Sequence, residues 1–253
     1  MTFNIRYDNP DDGPSAWPLR KERVADVMQR ADVIGVQEAL KHQVSDLEAM
    51  LSDFTWIGVG RDDGVDQGEF APIFYRTDLF QVVRSGTFWL SESPETPGSK
   101  SWDAAITRIV TWTQLKSLVS GNTFWLFNTH FDHRGREARR RSAKLLMKKV
   151  VELAGESTVL VTGDFNATPD TEVYATMTGN QLADACAPNT TLRLGPRGTF
   201  SGFEVNELTP TRRIDYVFAS RLLSVQSCEA IIDVEDGRYV SDHIPVLITL
   251  GRQ

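Results

Sequence analysis

Cysteine is scarce in this 253-residue chain, which has two, Cys186 and Cys228. Two are too few for a disulfide framework and lack metal-ligand spacing, so both read as ordinary core or surface thiols. Histidine is also sparse, with four in all. No apolar run approaches the roughly 18 residues that span a bilayer, and no charged stretch followed by an apolar one opens the chain as a secretory leader does. As given, the chain reads as soluble and cytoplasmic. Export stays open if the true start lies upstream of Met1, because residues 1–4 already read as the middle of a strand. Positive charge is in deficit, with 27 Lys and Arg against 34 Asp and Glu, a net charge of −7. That balance disfavours a sequence-independent electrostatic grip on long nucleic acid. No Pro/Gly/Ser linker divides the chain, so residues 1–253 are expected to form one domain with a full core.

What the chain does have is a set of polar residues where strands should end. Residues 158–161 are an apolar, β-branched run suited to a strand covered on both faces. They lead into Gly163-Asp164-Phe165-Asn166. In extended chain Asp164 and Asn166 would project to the same side. The plain alternative is that Asp164 caps the turn before Pro169. The same design recurs at 32–36, an apolar run that delivers Gln37-Glu38, and at 123–129, which ends in His130-Phe131-Asp132-His133. In an open α/β sheet, residues just beyond strand ends line the functional crevice.

The other elements follow from periodicity. Strands are expected at 2–6 with Asn4 inside, 54–58, 70–76 entered by Glu69, 82–90, 106–118, 213–218 around Asp215, 222–232 and 244–250 entered by Asp242 and His243. Helices are expected at 19–31, 41–51, 135–154 and 170–177, and Ser120-Gly121-Asn122 marks a hairpin. Residues 134–149 hold eight Arg or Lys against one acid, read as a solvated face rather than a phosphate surface. The acidic stretch 60–68 lacks calcium-loop spacing, and 181–207 is loop-rich with little periodicity.

Asn4, Glu38, His130, Asp164, Asn166, Asp215, Asp242 and His243 are the polar residues hardest to explain as surface. If Glu38, Asp164 and Asp242 converge, each carboxylate pair at about 4 Å repels by roughly 4 kcal/mol at an effective dielectric of 20. Something positive must sit between them. Hard oxygen ligands without thiolate favour Mg²⁺ or Mn²⁺.

In this order, Asn4, Gln37-Glu38, Asn128-Thr129-His130, Gly163-Asp164-Phe165-Asn166, Arg213-Ile214-Asp215-Tyr216 and Ser241-Asp242-His243 resemble the endonuclease/exonuclease/phosphatase superfamily. Each fragment alone is weak, but six in order span essentially the whole chain. The resemblance implies a deoxyribonuclease I-like, four-layer α/β sandwich of two packed mixed β-sheets flanked by helices. It also implies that Glu38 is the principal metal ligand with Asn4 and Asp242 near the metal. Asp164 and Asn166 would handle the attacking water and the scissile phosphate, and His243 would contact phosphate and be oriented by Asp215. Glu69 would orient His130, and pairing with a carboxylate would raise the pKa of each imidazole.

The expected function is in-line, divalent-metal-dependent hydrolysis of a phosphodiester or phosphomonoester by a monomer. Arg108 and Arg134 are candidate extra phosphate contacts. Candidate substrates are nucleic acid, a phospholipid head group or a small phosphoester. The acidic balance favours a small ester over double-stranded nucleic acid, and stable membrane insertion is not expected. The alternative from another class is a catalytically silent phospho-ligand or protein-binding module on the same fold.

Overall fold

The structure, a computed structural model, describes residues 1–179, 181–187, 192–205 and 212–251. In chain order the strands are β1 (Thr2–Asn4), β2 (Val33–Gln37), β3 (Phe54–Ile57), β4 (Ile73–Arg76), β5 (Phe80–Trp89), β6 (Ile109–Ser117) and β7 (Thr123–His130). They continue with β8 (Val159–Asp164), β9 (Leu182–Asp184), β10 (Arg193–Leu194), β11 (Asp215–Ser220), β12 (Val225–Ala230), β13 (Val234–Glu235), β14 (Arg238–Tyr239) and β15 (Val246–Leu250). The helices are α1 (Lys21–Met28), α2 (Lys41–Met50), α3 (Arg136–Ala154) and α4 (Glu172–Thr178).

One mixed sheet runs β10-β12-β15-β1-β2-β4-β3 and a second runs β5-β6-β7-β8-β11-β9. The two sheets pack where β1 and β2 meet β8 and β7. Helices α1 and α2 cover the outer face of the first sheet over Phe3, Val24, Met28, Val36 and Leu47. Helices α3 and α4 cover the second over Phe127, Leu146, Val150, Val161 and Val173. The expected four-layer α/β sandwich is therefore present.

The period of two in each central strand sorts its residues between layers. Ile34 and Val36 join the outer core with the helices, so Gly35 and Gln37 face inward. Inside, the layer between the sheets turns polar. Gln37 Nε2 donates to Asn128 Oδ1 at 2.7 Å, Asn128 Nδ2 donates to Val36 O at 2.7 Å, and Thr162 Oγ1 donates to Asn128 Oδ1 at 3.0 Å. Glycine is required at 35, because a Cβ there would lie 2.1 Å from Thr162 Oγ1. Asn4 stands beside Gln37, and two residues beyond Asn128 and Thr162 stand His130 and Asp164, so the site is the open end of this polar layer.

Most expected elements form with shifted ends. The strand expected at 2–6 stops at Asn4, since Arg6 adopts φ 58, and the helix expected from 19 starts at Lys21 after a short 3-10 turn at Trp17–Leu19. Asn166 does not continue an extended chain: it adopts φ 47 and its N–H donates to Asp164 Oδ1 at 2.8 Å, the turn-capping alternative. Of the loop-rich stretch, 188–191 and 206–207 lie outside the described residues.

One sequence expectation fails outright. Cys186 and Cys228 are not free thiols but a disulfide, with Cα atoms 5.4 Å apart. The cross-link bridges a residue just past β9 in one sheet and a residue of β12 in the other. Two cysteines 42 positions apart carry no local signal of pairing, which only the packing of the two sheets creates.

Candidate active site

Strand direction explains why the site residues were scattered in sequence. β1, β2, β7 and β8 end at one edge of the sandwich, delivering Asn4, Glu38, His130 and Asp164. β11 and β15 run the other way, so Asp215 opens β11 and Asp242-His243 precede β15 at the same edge. Register seals the arrangement: Asp164 lies beside His130 on β7 and opposite Asp215 on β11.

Ligand atoms of Glu38, Asp164 and His243 lie within 4.8 Å of one another. Asn4 ties two of them, its Nδ2 donating to Glu38 Oε1 at 2.9 Å and to Asp164 Oδ2 at 3.2 Å, while its Oδ1 accepts from Arg6 N–H. Glu38 sits at φ 64, a left-handed conformation costly for a glutamate and typical of functional positions. Asp242 stands alongside, its Oδ2 at 3.8 Å from Arg6 Nη1, and burial raises its pKa. Asp164 is pushed up to about 7 by burial and then by the neighbouring Asp215. A carboxyl held this far from its ordinary range is one that a cation would restore to full charge.

His243 Nδ1 donates to Asp215 Oδ2 at 2.9 Å, and its Nε2 lies 3.7 Å from Asp164 Oδ2. Burial opposes the charged ring, but the combined pull of Asp215, Asp164 and Asp242 overrides it, and the pKa stands well above normal. This is the imidazole–carboxylate pair expected from the sequence.

His130 departs from expectation. Asn166 Nδ2 donates to its Nε2 at 3.1 Å and to Phe131 O, which leaves the ring proton on Nδ1. That nitrogen is buried without a partner among the described residues. Glu69 does not orient it: Arg61 Nη1 holds Glu69 Oε2 at 2.6 Å, with Arg108 Nη1 at 4.0 Å. A guanidinium is the stronger partner for a carboxylate, so the two arginines take Glu69 across the small cavity they share with His130. The pKa of His130 is consequently well below normal, through burial first and then Arg108 and Arg61, the reverse of the expected rise.

Arg108 itself is buried, its Nη2 beside His133 Nδ1 at 3.3 Å, and its Nε and Nη1 make no hydrogen bond among the described residues. Arg134 lies exposed with its backbone N–H on Asp132 Oδ1. Part of the basic stripe of α3 is paired in place, Arg140 and Arg141 with Glu137 and Lys149 with Glu95.

Sequence reading missed three supports. Arg20 is buried and donates to the carbonyls of Ser15, Ile5 and Arg6 at 2.5–2.9 Å, so it pins the chain just after Asn4. Asp132 accepts from the N–H groups of Ala105, Ile106, Arg134 and Gly135, knitting the segment before Arg108 to the start of α3. Arg61 comes from the acidic loop. Nothing local marks Arg20 or Arg61, but Asp132 sat two residues past His130 in a strand-end run and could have been singled out.

A family model described as Endonuclease/Exonuclease/phosphatase family matches residues 1–243. Among solved structures, an endonuclease/exonuclease/phosphatase from Bacteroides vulgatus is 42% identical, with 100% of this chain and 97% of that chain covered at a TM-score of 0.94. A mannosyl-6-phosphatase of Bacteroides thetaiotaomicron is 37% identical, with 99% and 98% covered at 0.94. The catalytic domain of human Nocturnin, 20% identical with 97% and 91% covered at 0.73, shares the fold.

Proposed function

Because this chain belongs to the endonuclease/exonuclease/phosphatase family, we propose that it is a divalent-metal-dependent phosphoesterase acting as a single catalytic domain, and that its substrate is a phosphomonoester of a small hydroxylic compound. The observation that carries the chemistry is the convergence of Glu38, Asp164 and His243 from three distant segments. The carboxylates of Glu38 and Asp164 are hard oxygen donors with no thiolate among them, and buried Asp164 lacks its full countercharge, so the set fits a hard divalent ion. Mg²⁺ or Mn²⁺ would be held by Glu38 with Asn4 and Asp242 beside it, and when bound would set positive charge against a phosphoryl oxygen.

The chain's own groups supply the rest. Asp164 Oδ2 orients a water for in-line attack and accepts its proton, Asn166 steadies the phosphate, and His243 presents Nε2–H to a phosphoryl oxygen. Asp215 orients the ring of His243 and helps to keep it charged. His130, neutral in its buried position, acts as a hydrogen-bonding rather than ionic neighbour. Arg108 brings fixed charge with unpaired N–H groups to the same edge, which suits the second negative charge of a monoester. The monoester reading is further supported by the 37% identity, over 99% of this chain, to a mannosyl-6-phosphatase.

Hydrolysis of mannose 6-phosphate, p-nitrophenyl phosphate and bis(p-nitrophenyl) phosphate with Mg²⁺, Mn²⁺ and EDTA tests this. Metal-dependent phosphate release from the monoesters, stopped by EDTA, is expected. Faster cleavage of the diester would overturn the substrate class. No metal-dependent release from any of them would leave the silent binding module standing.

A further inference from the structure

Three arginines gather on the histidine side of the catalytic edge. Arg212 stands one aromatic ring away from His243. Phe200, partly exposed, pairs with His243 in an isolated antiparallel bridge, and its ring meets the imidazole edge to face with centroids 5.1 Å apart. The exposed guanidinium of Arg212 lies over the same ring, 5.7 Å from its centroid. Arg212 O accepts from the N–H groups of Thr199 and Phe200 at 2.9 Å and 3.1 Å, so the backbone ties this cation to the ring beside His243.

Arg139 approaches from α3. Its Nη1 donates to Asp132 O at 2.8 Å, one residue from Phe131 O, which accepts from Asn166 Nδ2. Arg136, exposed, lies one turn earlier on the same face of the helix. Burial lowers the pKa of Arg139, Asp132 and Asp103 oppose that, and the charges of Arg212 and Arg136 lower it further. Both cations therefore lie near enough to act on it.

Among the described residues none of the three forms an ion pair, and Glu137, the acid of that turn, is taken by Arg140 and Arg141. The carboxylates that do stand near are already engaged with backbone. Asp132 accepts from Ala105, Ile106, Arg134 and Gly135, and Asp103 accepts from Glu137 and Ala138. Gathering like charges costs free energy, which is unexpected in a chain of net charge −7 unless an anion from outside offsets it. A guanidinium lying over a ring keeps its fork of N–H groups open, and that fork matches a carboxylate or a phosphate with two parallel hydrogen bonds.

We infer that Arg212 and Arg139, with Arg136 behind them, bind a second anionic group of the substrate, a carboxylate or phosphate carried by the alcohol that leaves, while Phe200 packs against the carbon skeleton between that group and the scissile phosphate. The inference rests on the phosphomonoester reading above and narrows it. The preferred ester is one whose alcohol is itself charged.

The test compares phosphate release from glucose 6-phosphate, 6-phosphogluconate and glucose 1,6-bisphosphate, which carry a hydroxyl, a carboxylate and a phosphate at the far carbon. KM for at least one of the two anionic alcohols should be about tenfold below that for glucose 6-phosphate, with kcat little changed. Which of the two is preferred tells carboxylate from phosphate. Arg212→Gln should bring that KM up to the glucose 6-phosphate value, and Arg212→Lys should keep part of the preference. Because the preference is a ratio within each variant, a general loss of fold or activity cannot imitate its disappearance. Calorimetric titration of the three esters in EDTA reads affinity without turnover. Equal KM and equal affinity for all three in the wild type, or a preference that survives Arg212→Gln, would overturn the inference while hydrolysis of glucose 6-phosphate still upheld the phosphomonoester reading. An Arg212-dependent difference in affinity without any hydrolysis would do the reverse.

Discussion

His130 and His243 flank the same carboxylate oxygen, their Nε2 atoms 3.4 Å and 3.7 Å from Asp164 Oδ2, and their surroundings drive them apart. Both rings are buried, and burial alone would make both neutral. On the His243 side Nδ1 meets Asp215, whose charge, together with those of Asp164 and Asp242, outweighs the desolvation. On the His130 side Glu69, which lines the same small cavity, is taken by Arg61, and Arg108 adds positive charge nearby. The lesson is that distance to the shared acid decides little. What lies behind each ring, on the nitrogen turned away from Asp164, decides whether it carries charge.

The comparison ranks the expected losses of activity. Removing the shared acid or the charged ring should cost most: Asp164→Ala or His243→Ala should lower turnover of p-nitrophenyl phosphate by about 10³-fold or more, with the thermal midpoint close to wild type. A loss matched by global unfolding would assign both residues to structure instead. Next comes the residue behind the charged ring. Asp215→Asn keeps the volume but removes the charge that holds His243 protonated, and turnover should fall by roughly 10²-fold or more.

The counterpart on the other side should be milder. Glu69→Gln leaves His130 as it is, because Arg61 and not His130 holds that carboxylate, so the loss should stay within about tenfold. An effect as large as that of Asp215→Asn would erase the asymmetry and restore the symmetric pair of imidazole–carboxylate dyads that the sequence led us to expect.

The two rings should also separate in the pH dependence of stability. His243 has a raised folded pKa, so its contribution is full below the unfolded value near 6.5 and is lost as pH rises through the folded pKa. His130 has a lowered folded pKa, so stability is lost as pH falls from about 6.5 toward that value. Melting curves across about pH 5 to 9 should show His243→Asn flattening the alkaline side and His130→Asn flattening the acid side. If both variants change the same side, the two rings are not in opposite states.

How much of this was legible in the sequence follows from period and polarity. Strands whose apolar runs stop at a charged or amide residue, such as 158–164 and 32–38, give the candidate site residues, while the layered architecture came from the resemblance. The residue pattern marked Asp215 and His243 only as two odd polar groups, and their pairing came from the resemblance. The fate of Glu69 was not legible, since nothing in the sequence of the acidic loop says that Arg61 would reach across eight positions to claim it. The polar layer was not legible: Gln37 and Asn128 appear only as members of strand-end fragments, and that they meet across a glycine at 35 is a fact of sheet packing.

The disulfide was illegible for the same reason, and it bounds the comparison from outside. It closes a loop with a sequence separation of 42, at the β9 edge of one sheet and on β12 of the other, so chain-entropy arguments assign it about 4 kcal/mol of stability. Because Asp164 and His130 end central strands and His243, in the segment before β15, is held by Asp215 on β11, losing it should leave their geometry intact. Cys186→Ala/Cys228→Ala should therefore lower the melting temperature by about 10 °C and leave turnover at 25 °C essentially unchanged. If turnover falls with the melting temperature, the asymmetry between the two rings depends on the alignment of the sheets, and the control of His243 and His130 extends beyond their immediate neighbours.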